Sequence, residues 1–135
     1  YQERSHTEGK EKLYGFGLYK TEVETLLAQL VEENYLNEER FAIAFAGGKF
    51  RMKGWGKQKI IYELKLKAVS DYCIRKALAS IDEAAYSKTL QKLAGEKLAA
   101  LKGERNIFIK KKKLQQYLLQ KGFETNRINE IVNTI

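Results

Sequence analysis

The chain has no proline, and one residue each of cysteine, histidine, methionine and tryptophan. With 44% hydrophobic residues and no proline, it lacks the composition of a disordered tail. The lone Cys73 excludes a disulfide framework. Set among Ile74, Ala77 and Leu78, it reads as a buried thiol rather than a nucleophile. One Cys and one His, His6, cannot build a zinc site of the usual type. No apolar run reaches the roughly 20 residues that span a bilayer, and no signal peptide is visible. The chain opens on Tyr1 rather than Met, as a piece of a longer protein would. A reducing, cytoplasmic setting and no membrane partner are expected.

Catalytic machinery is also missing. No Gly-rich loop is followed by Lys-Ser or Lys-Thr, so there is no phosphate loop. The "GWG" of residues 54–56 is too short for a phosphate cradle of known type. The adjacent carboxylates Glu38 and Glu39 are better explained by helix capping. No nucleophile, base and orienting group can be assembled. The expectation is a protein without catalysis, cofactor or metal.

What the chain does have is positive charge. Its 25 Lys and Arg stand against 17 Asp and Glu, for a net charge of +8. Such an excess favours anionic partners, a nucleic acid or an acidic protein surface. The 135 residues suffice for one domain with a modest core or a short array of small units.

The dominant hydrophobic period is helical. "VETLLAQLVEENYL" places Val23, Leu26, Leu27, Leu30 and Val31 on one face. "IIYELKLKAV" does so with Ile60, Ile61, Leu64 and Ala68, and "KLQQYLLQKGF" with Leu114, Tyr117 and Leu118. These segments also match one another. A shift of 54 sets Ile60 on Leu114, Leu64 on Leu118, Lys67 on Lys121, Val69 on Phe123 and Ile74 on Ile128. It also sets Ala77, Leu78 and Ile81 on Ile131, Val132 and Ile135. A shift of 51 brings Leu13, Leu18, Val23, Leu26, Leu27 and Leu30 onto the middle copy, with Gly9 the one poor match.

A recurrence of this length marks a helical array. The fold expected is all-α, an elongated array of three tandem three-helix repeats with about eight helices and the last repeat truncated. The units are residues 1–52, 53–103 and 104–135. A single compact bundle would require the copies to fold back on each other. Ser70, Asn37 and Asp82 are the expected helix N-caps, and Gly122 the left-handed helix end.

The candidate functional surface centres on "FAGGKFRMKGWGKQKIIYELKLK", residues 45–67. Lys49, Arg51, Lys53, Lys57, Lys59, Lys65 and Lys67 face a single acid there, Glu63. Lys59 and Lys67 recur as Lys113 and Lys121 in the next copy, and Lys110, Lys111, Lys112 and Lys113 form a second basic run. Positive charge repeated along an extended array suits a long anionic partner. A lone lysine would only solvate a helix face; two dense clusters at equivalent places favour a function. Trp55, between Gly54 and Gly56, is expected to pack the joint of the first two repeats with Phe45, Phe50 and Ile60. The glycines allow the tight bend. The other possibility is a ring that stacks on a base or anchors a partner.

These residues resemble the signature of the RecX family of bacterial recombination regulators. In that family an apolar-Asn/Asp-acid-Glu-Arg-Phe-Ala block precedes a basic segment, Gly-Trp-Gly, and an Ile-x-x-x-Leu helix ending in Lys-Gly-Ile. Here the block is Tyr35, Leu36, Asn37, Glu38, Glu39, Arg40, Phe41 and Ala42. Gly54, Trp55 and Gly56 follow, then Ile60, Leu64 and Lys67. Ala68 and Val69 stand in place of Gly-Ile. The resemblance implies tandem three-helix repeats and, as partner, the RecA recombinase filament. A protein of this kind lies in the groove of the RecA–DNA filament and hinders ATP turnover, strand exchange and repressor cleavage. A monomer is expected. Arg40 joins the candidate surface, unless it pairs within its own helix. The second reading is a module that binds single- or double-stranded DNA or RNA directly through the basic surface.

Overall fold

The computed structural model describes residues 20–135, and every regular element among them is an α-helix. The helices are α1 (Lys20–Lys53), α2 (Lys57–Leu66), α3 (Asp71–Ala79), α4 (Glu83–Ala100), α5 (Ile107–Lys121) and α6 (Thr125–Val132). His6, Gly9, Leu13, Leu18 and the helices expected around them lie outside the described residues. The 34 residues of α1 extend about 51 Å at helical rise. A compact domain of this chain length is only about 36 Å across, so α1 alone makes the array elongated.

Two helices were expected where α1 runs unbroken. Asn37 does not cap a new helix; it sits inside α1, where its Oδ1 accepts a hydrogen bond from the Arg40 guanidinium. No glycine or proline interrupts residues 24–46, so nothing local competes with continued helix there. Along this helix Ala42, Ala46 and Phe50 are buried at i, i+4 and i+8, whereas Leu26 and Val31, expected on the core face, are exposed. Ala42 and Ala46 let α3 approach closely, with Cys73, Ile74 and Ala77 buried in the same core. Packing gathers the end of α1 with α2 and α3, and α4 with α5 and α6.

The expected caps on Ser70 and Asp82 are present. Ser70 Oγ accepts from the Cys73 amide, and Asp82 Oδ2 from the Ala85 amide. Glu38 caps a helix other than its own: its Oε1 accepts from the Ser70 amide at 2.5 Å, tying α1 to the start of α3. Burial pushes the Cys73 thiol up in pKa against the pull of the Ser70 hydroxyl, as suits an inert core thiol.

The repeat is visible in backbone hydrogen bonds. At the end of α2, the Val69 amide reaches Leu64 O at 3.1 Å and the Ala68 amide reaches Lys65 O at 3.0 Å. At the end of α5, the Phe123 amide reaches Leu118 O at 3.2 Å and the Gly122 amide reaches Leu119 O at 3.0 Å. These are the same Schellman turn, 54 residues apart. The apolar pairs that close it, Leu64 with Val69 and Leu118 with Phe123, are all buried. The turn requires a left-handed residue, and Gly122 supplies it at φ 100°. Ala68 occupies the equivalent place at φ 60°, the one non-glycine residue with positive φ among those described. A Cβ there costs about 1 kcal/mol. Ala68→Gly is therefore expected to stabilise the fold by about 1 kcal/mol. A thermal melt should show a rise of about 3 °C; an unchanged or lower Tm would mean that the strain is absent.

Candidate functional site

Between α1 and α2 the chain turns through Gly54, Trp55 and Gly56. Gly54, at φ 65°, ends α1 in the left-handed region, and its amide closes on Phe50 O at 3.0 Å. Gly56 is the N-cap of α2 and has no side chain to offer its amides. Their partners come from far along the chain. The Gly56 amide donates to Lys121 O and the Gln58 amide to Gly122 O, both at 2.8 Å. The Lys57 amide donates to the Tyr86 hydroxyl at 2.9 Å. The start of α2 thus rests on the end of α5, donors facing the orphan carbonyls of another helix. The two helix dipoles meet positive end to negative end.

This contact leaves no room for a side chain. A Cβ on Gly56 would lie 2.3 Å from Gly122 C, and one on Gly122 would lie 2.3 Å from Lys59 Cβ. Lys121 closes the arrangement by donating from Nζ to Lys53 O at 2.6 Å, at the end of α1. Beneath it lies Tyr86, wholly buried. Its ring contacts Phe50 at 5.7 Å and Phe123 at 5.3 Å between centroids. Its hydroxyl donates to Glu124, and burial together with that bond drives its pKa far above the usual phenol range. Arg127 lies over the ring at 4.8 Å and binds Glu83 at 2.6 Å and Glu124 at 3.0 Å.

The joint is therefore built differently from the sequence expectation. Gly54, Trp55 and Gly56 make the turn between α1 and α2, and Gly56 sets the start of α2 against the α5–α6 turn. Phe50 packs on Tyr86, and Phe45 and Trp55 lie against the core that holds Phe50 and Ile60. Trp55 is half-buried and meets Phe45 edge-on at 6.3 Å. Tyr86, Phe123, Glu124, Arg127 and Glu83 were not foreseen as joint residues. The signal was present in part: Phe123 follows Gly122 in the expected helix-ending turn, and Tyr86 stands four residues after the Asp82 cap. Nothing in the sequence indicated that they meet.

The candidate basic residues divide into two sets. Lys57 and Lys121 are half-buried in the joint. Lys57 Nζ sits 4.7 Å over Tyr86 and 3.8 Å from Glu83, so neither it nor Lys121 is an outward-facing charge. Arg51, Lys53, Lys65, Lys67, Lys112 and Lys113 are exposed, whereas Lys59, Lys110 and Lys111 are half-buried. The Arg51 guanidinium folds back over Gly47 on its own helix. Arg40 is exposed and engages Asn37, as the within-helix alternative allowed. Repeat-equivalent lysines do not share roles. Lys67 lies over Phe45 at 5.5 Å while Lys121 ties Lys53 O. Lys59 lies over Trp55 at 4.7 Å while Lys113 pairs with Glu104 at 3.8 Å.

Among the described residues no three His, Cys, Asp or Glu side chains group as metal ligands, and no helix is long and apolar enough to cross a membrane. The family model for the second three-helix domain of RecX matches residues 37–78, the end of α1 with α2 and α3. A regulatory protein RecX from Prosthecochloris aestuarii is 31% identical over 134 residues, covering 99% of this chain and 85% of that protein. The chain belongs to the RecX family. A regulatory protein RecX from Clostridium perfringens strain 13 is also 31% identical, over 98% of this chain, which spans only 62% of that relative's length. The crystal structure of RecX from Lactobacillus salivarius has the same fold, with a TM-score of 0.74 at 24% identity over 99% of this chain. The RecX-like Gly-Trp-Gly element is thus, in this chain, the place where backbone of α2 meets backbone of the α5–α6 turn.

Two substitutions separate the two halves of that element. Gly122→Ala combines a clash with a left-handed backbone and is expected to cost on the order of 3 kcal/mol. Trp55→Ala removes a half-buried ring and is expected to cost about 1–2 kcal/mol, below the ~3–5 kcal/mol of a fully buried aromatic. Urea titrations of both variants check the order; a Trp55 loss exceeding that of Gly122 would contradict the geometry.

Proposed function

We propose that this RecX-family chain binds the RecA–DNA filament in its helical groove. There it modulates RecA ATPase, strand exchange and co-protease activity in DNA repair and the SOS response. The observation that carries this reading is the 31% identity to a regulatory protein RecX across 99% of the chain. An elongated array suits it: a helix of about 51 Å followed by further helices can touch successive protomers of a filament. The units 1–52, 53–103 and 104–135 would be laid along the groove in turn, as a monomer in the cytoplasm. The exposed charges Arg51, Lys53, Lys65, Lys67 and Lys112 would face acidic filament surface or DNA phosphates, with Arg40, Lys110, Lys111 and Lys113 at the margins. The protein would act by occupancy, changing RecA turnover while hydrolysing no nucleotide itself. Direct binding of nucleic acid is the second reading, favoured by the lysine cluster around Trp55.

Co-sedimentation with RecA filaments assembled on single-stranded DNA tests the first reading. The triple reversal Arg51→Glu, Lys53→Glu and Lys65→Glu changes only exposed side chains. It should leave Tm within about 2 °C, because exposed charges contribute little to folding. It should weaken filament binding at least tenfold. Adding Lys57→Glu should also destabilise the protein, since that carboxylate would face Glu83 in the joint. Normal filament binding by the folded triple variant would reduce this face to a solvated surface.

A further inference from the structure

The start of α5 carries the most exposed aromatic ring among the described residues. Ile107, Phe108 and Ile109 are consecutive and all exposed, Phe108 to 80%. A shift of 54 sets them on Lys53, Gly54 and Trp55, where the joint to the α5–α6 turn is made. Among the described residues no other helix end bonds to them. Asn106 caps α5 by itself. Its Oδ1 accepts from the Phe108 amide at 3.0 Å and from the Ile109 amide at 3.3 Å. Gly56, lacking a side chain, needs carbonyls from another helix; α5 does not. Behind the apolar tip come Lys110, Lys111, Lys112 and Lys113. At helical spacing their stems leave α5 around about 300° of its circumference, about 3–8 Å along the axis from Phe108. Across residues 102–113 six basic residues stand against one acid, Glu104. That acid is taken up by Lys113 at 3.8 Å and by the Asn106 amide at 3.0 Å.

We propose that Ile107, Phe108 and Ile109, collared by Lys110, Lys111 and Lys112, form a tip that docks the protein on an anionic lipid bilayer surface. The apolar side chains enter the boundary of headgroups and acyl chains, and the ammonium groups stay at the lipid phosphates. Apolar insertion and attraction to anionic lipid add together at such a surface. The form of the tip selects this partner. A groove on a protein is met by an apolar stripe along one face of a helix. Here apolar and cationic residues follow one another along the axis, as the layers of a bilayer surface do. Side chains on a helix lean toward its N-terminus, so the lysines reach the headgroup plane with their stems near the tip. The amides that Asn106 caps can leave water without losing a partner. A polyanion in water would engage the lysines and leave Phe108 exposed. No described helix can cross a bilayer; the tip enters only its surface. Docking of this kind is independent of filament binding, and its failure would leave that reading standing.

Co-sedimentation of the full chain with unilamellar vesicles tests the tip. Phosphatidylcholine vesicles with roughly one third phosphatidylglycerol should bind it, and phosphatidylcholine alone at least about tenfold more weakly. Phe108→Ser should weaken binding about tenfold, the loss expected when a phenyl ring no longer leaves water. Because that ring is 80% exposed in the free protein, the change should leave Tm within about 2 °C. Lys110→Gln, Lys111→Gln and Lys112→Gln together should also cost at least about tenfold. Lys76→Gln, Lys88→Gln and Lys92→Gln remove the same charge from exposed places on α3 and α4 and should cost less than about threefold. Phe108→Trp should give emission that moves to the blue on the anionic vesicles. Brominated acyl chains should quench it, beyond any change of Trp55 in the unaltered chain. Absence of vesicle binding would overturn the proposal. So would anionic-vesicle binding that Phe108→Ser leaves intact, which would mean diffuse charge. If Phe108→Ser spares vesicle binding but weakens RecA-filament binding, or dissociates a dimer in sedimentation velocity, the tip contacts protein and not lipid. Circular dichroism and a melt of each variant keep folding separate from binding.

Discussion

The contact on which the described structure depends is backbone against backbone, Gly56 upon Gly122. Two amides at the start of α2 donate to two carbonyls at the end of α5, both at 2.8 Å. Each helix terminus carries groups that its own ladder cannot satisfy, and here the two sets satisfy one another. The bonds form only if the chains approach closer than any Cβ permits. The glycines are therefore required for space at position 56, and for both space and left-handed backbone at position 122.

Several other features follow from this contact. Because Gly56 lacks a capping side chain, the Lys57 amide needs a partner, and the Tyr86 hydroxyl provides it. A buried hydroxyl so placed needs an acceptor in turn, which is Glu124, and that carboxylate draws in Arg127 and through it Glu83. Four helices are linked in this way, over an apolar core that Phe50, Tyr86 and Phe123 carry from one three-helix group to the other. The ion pair at the outer edge contributes little by itself, since the Glu83 side chain is 64% exposed. Its use is to hold Arg127 over the Tyr86 ring.

The same joint sorts the lysines. Those within reach of backbone carbonyls or Tyr86 are structural, as Lys121 and Lys57 are. Those over Phe45 and Trp55 have rings beneath them and no carboxylate, which leaves their charge available. A residue list drawn from charge density alone merges the two groups. The chain's resemblance to RecX proteins at Gly-Trp-Gly thus marks a structural joint and, on its outer side, a cationic surface.

The sequence by itself determined the helical character, the period of 54 residues and the residues that would be buried at it: Ile60 with Leu114, Leu64 with Leu118, Ile74 with Ile128. It also determined the caps at Ser70 and Asp82 and the left-handed end at Gly122. These are local properties, because hydrophobic period, cap and turn are each written within a few residues. The three-dimensional packing decided that α1 runs through Asn37, since the side chain could pair with Arg40 as readily as with a backbone amide. It decided that Glu38 caps α3 rather than its own helix. It decided which lysine of each equivalent pair became structural, Lys121 but not Lys67. A repeat records how far apart equivalent helices lie, but not which helices share a core or whose carbonyls a bare helix terminus will find. Those choices depend on contacts between residues far apart in the chain, such as Glu38 and Ser70 or Gly56 and Lys121, and no local pattern encodes them.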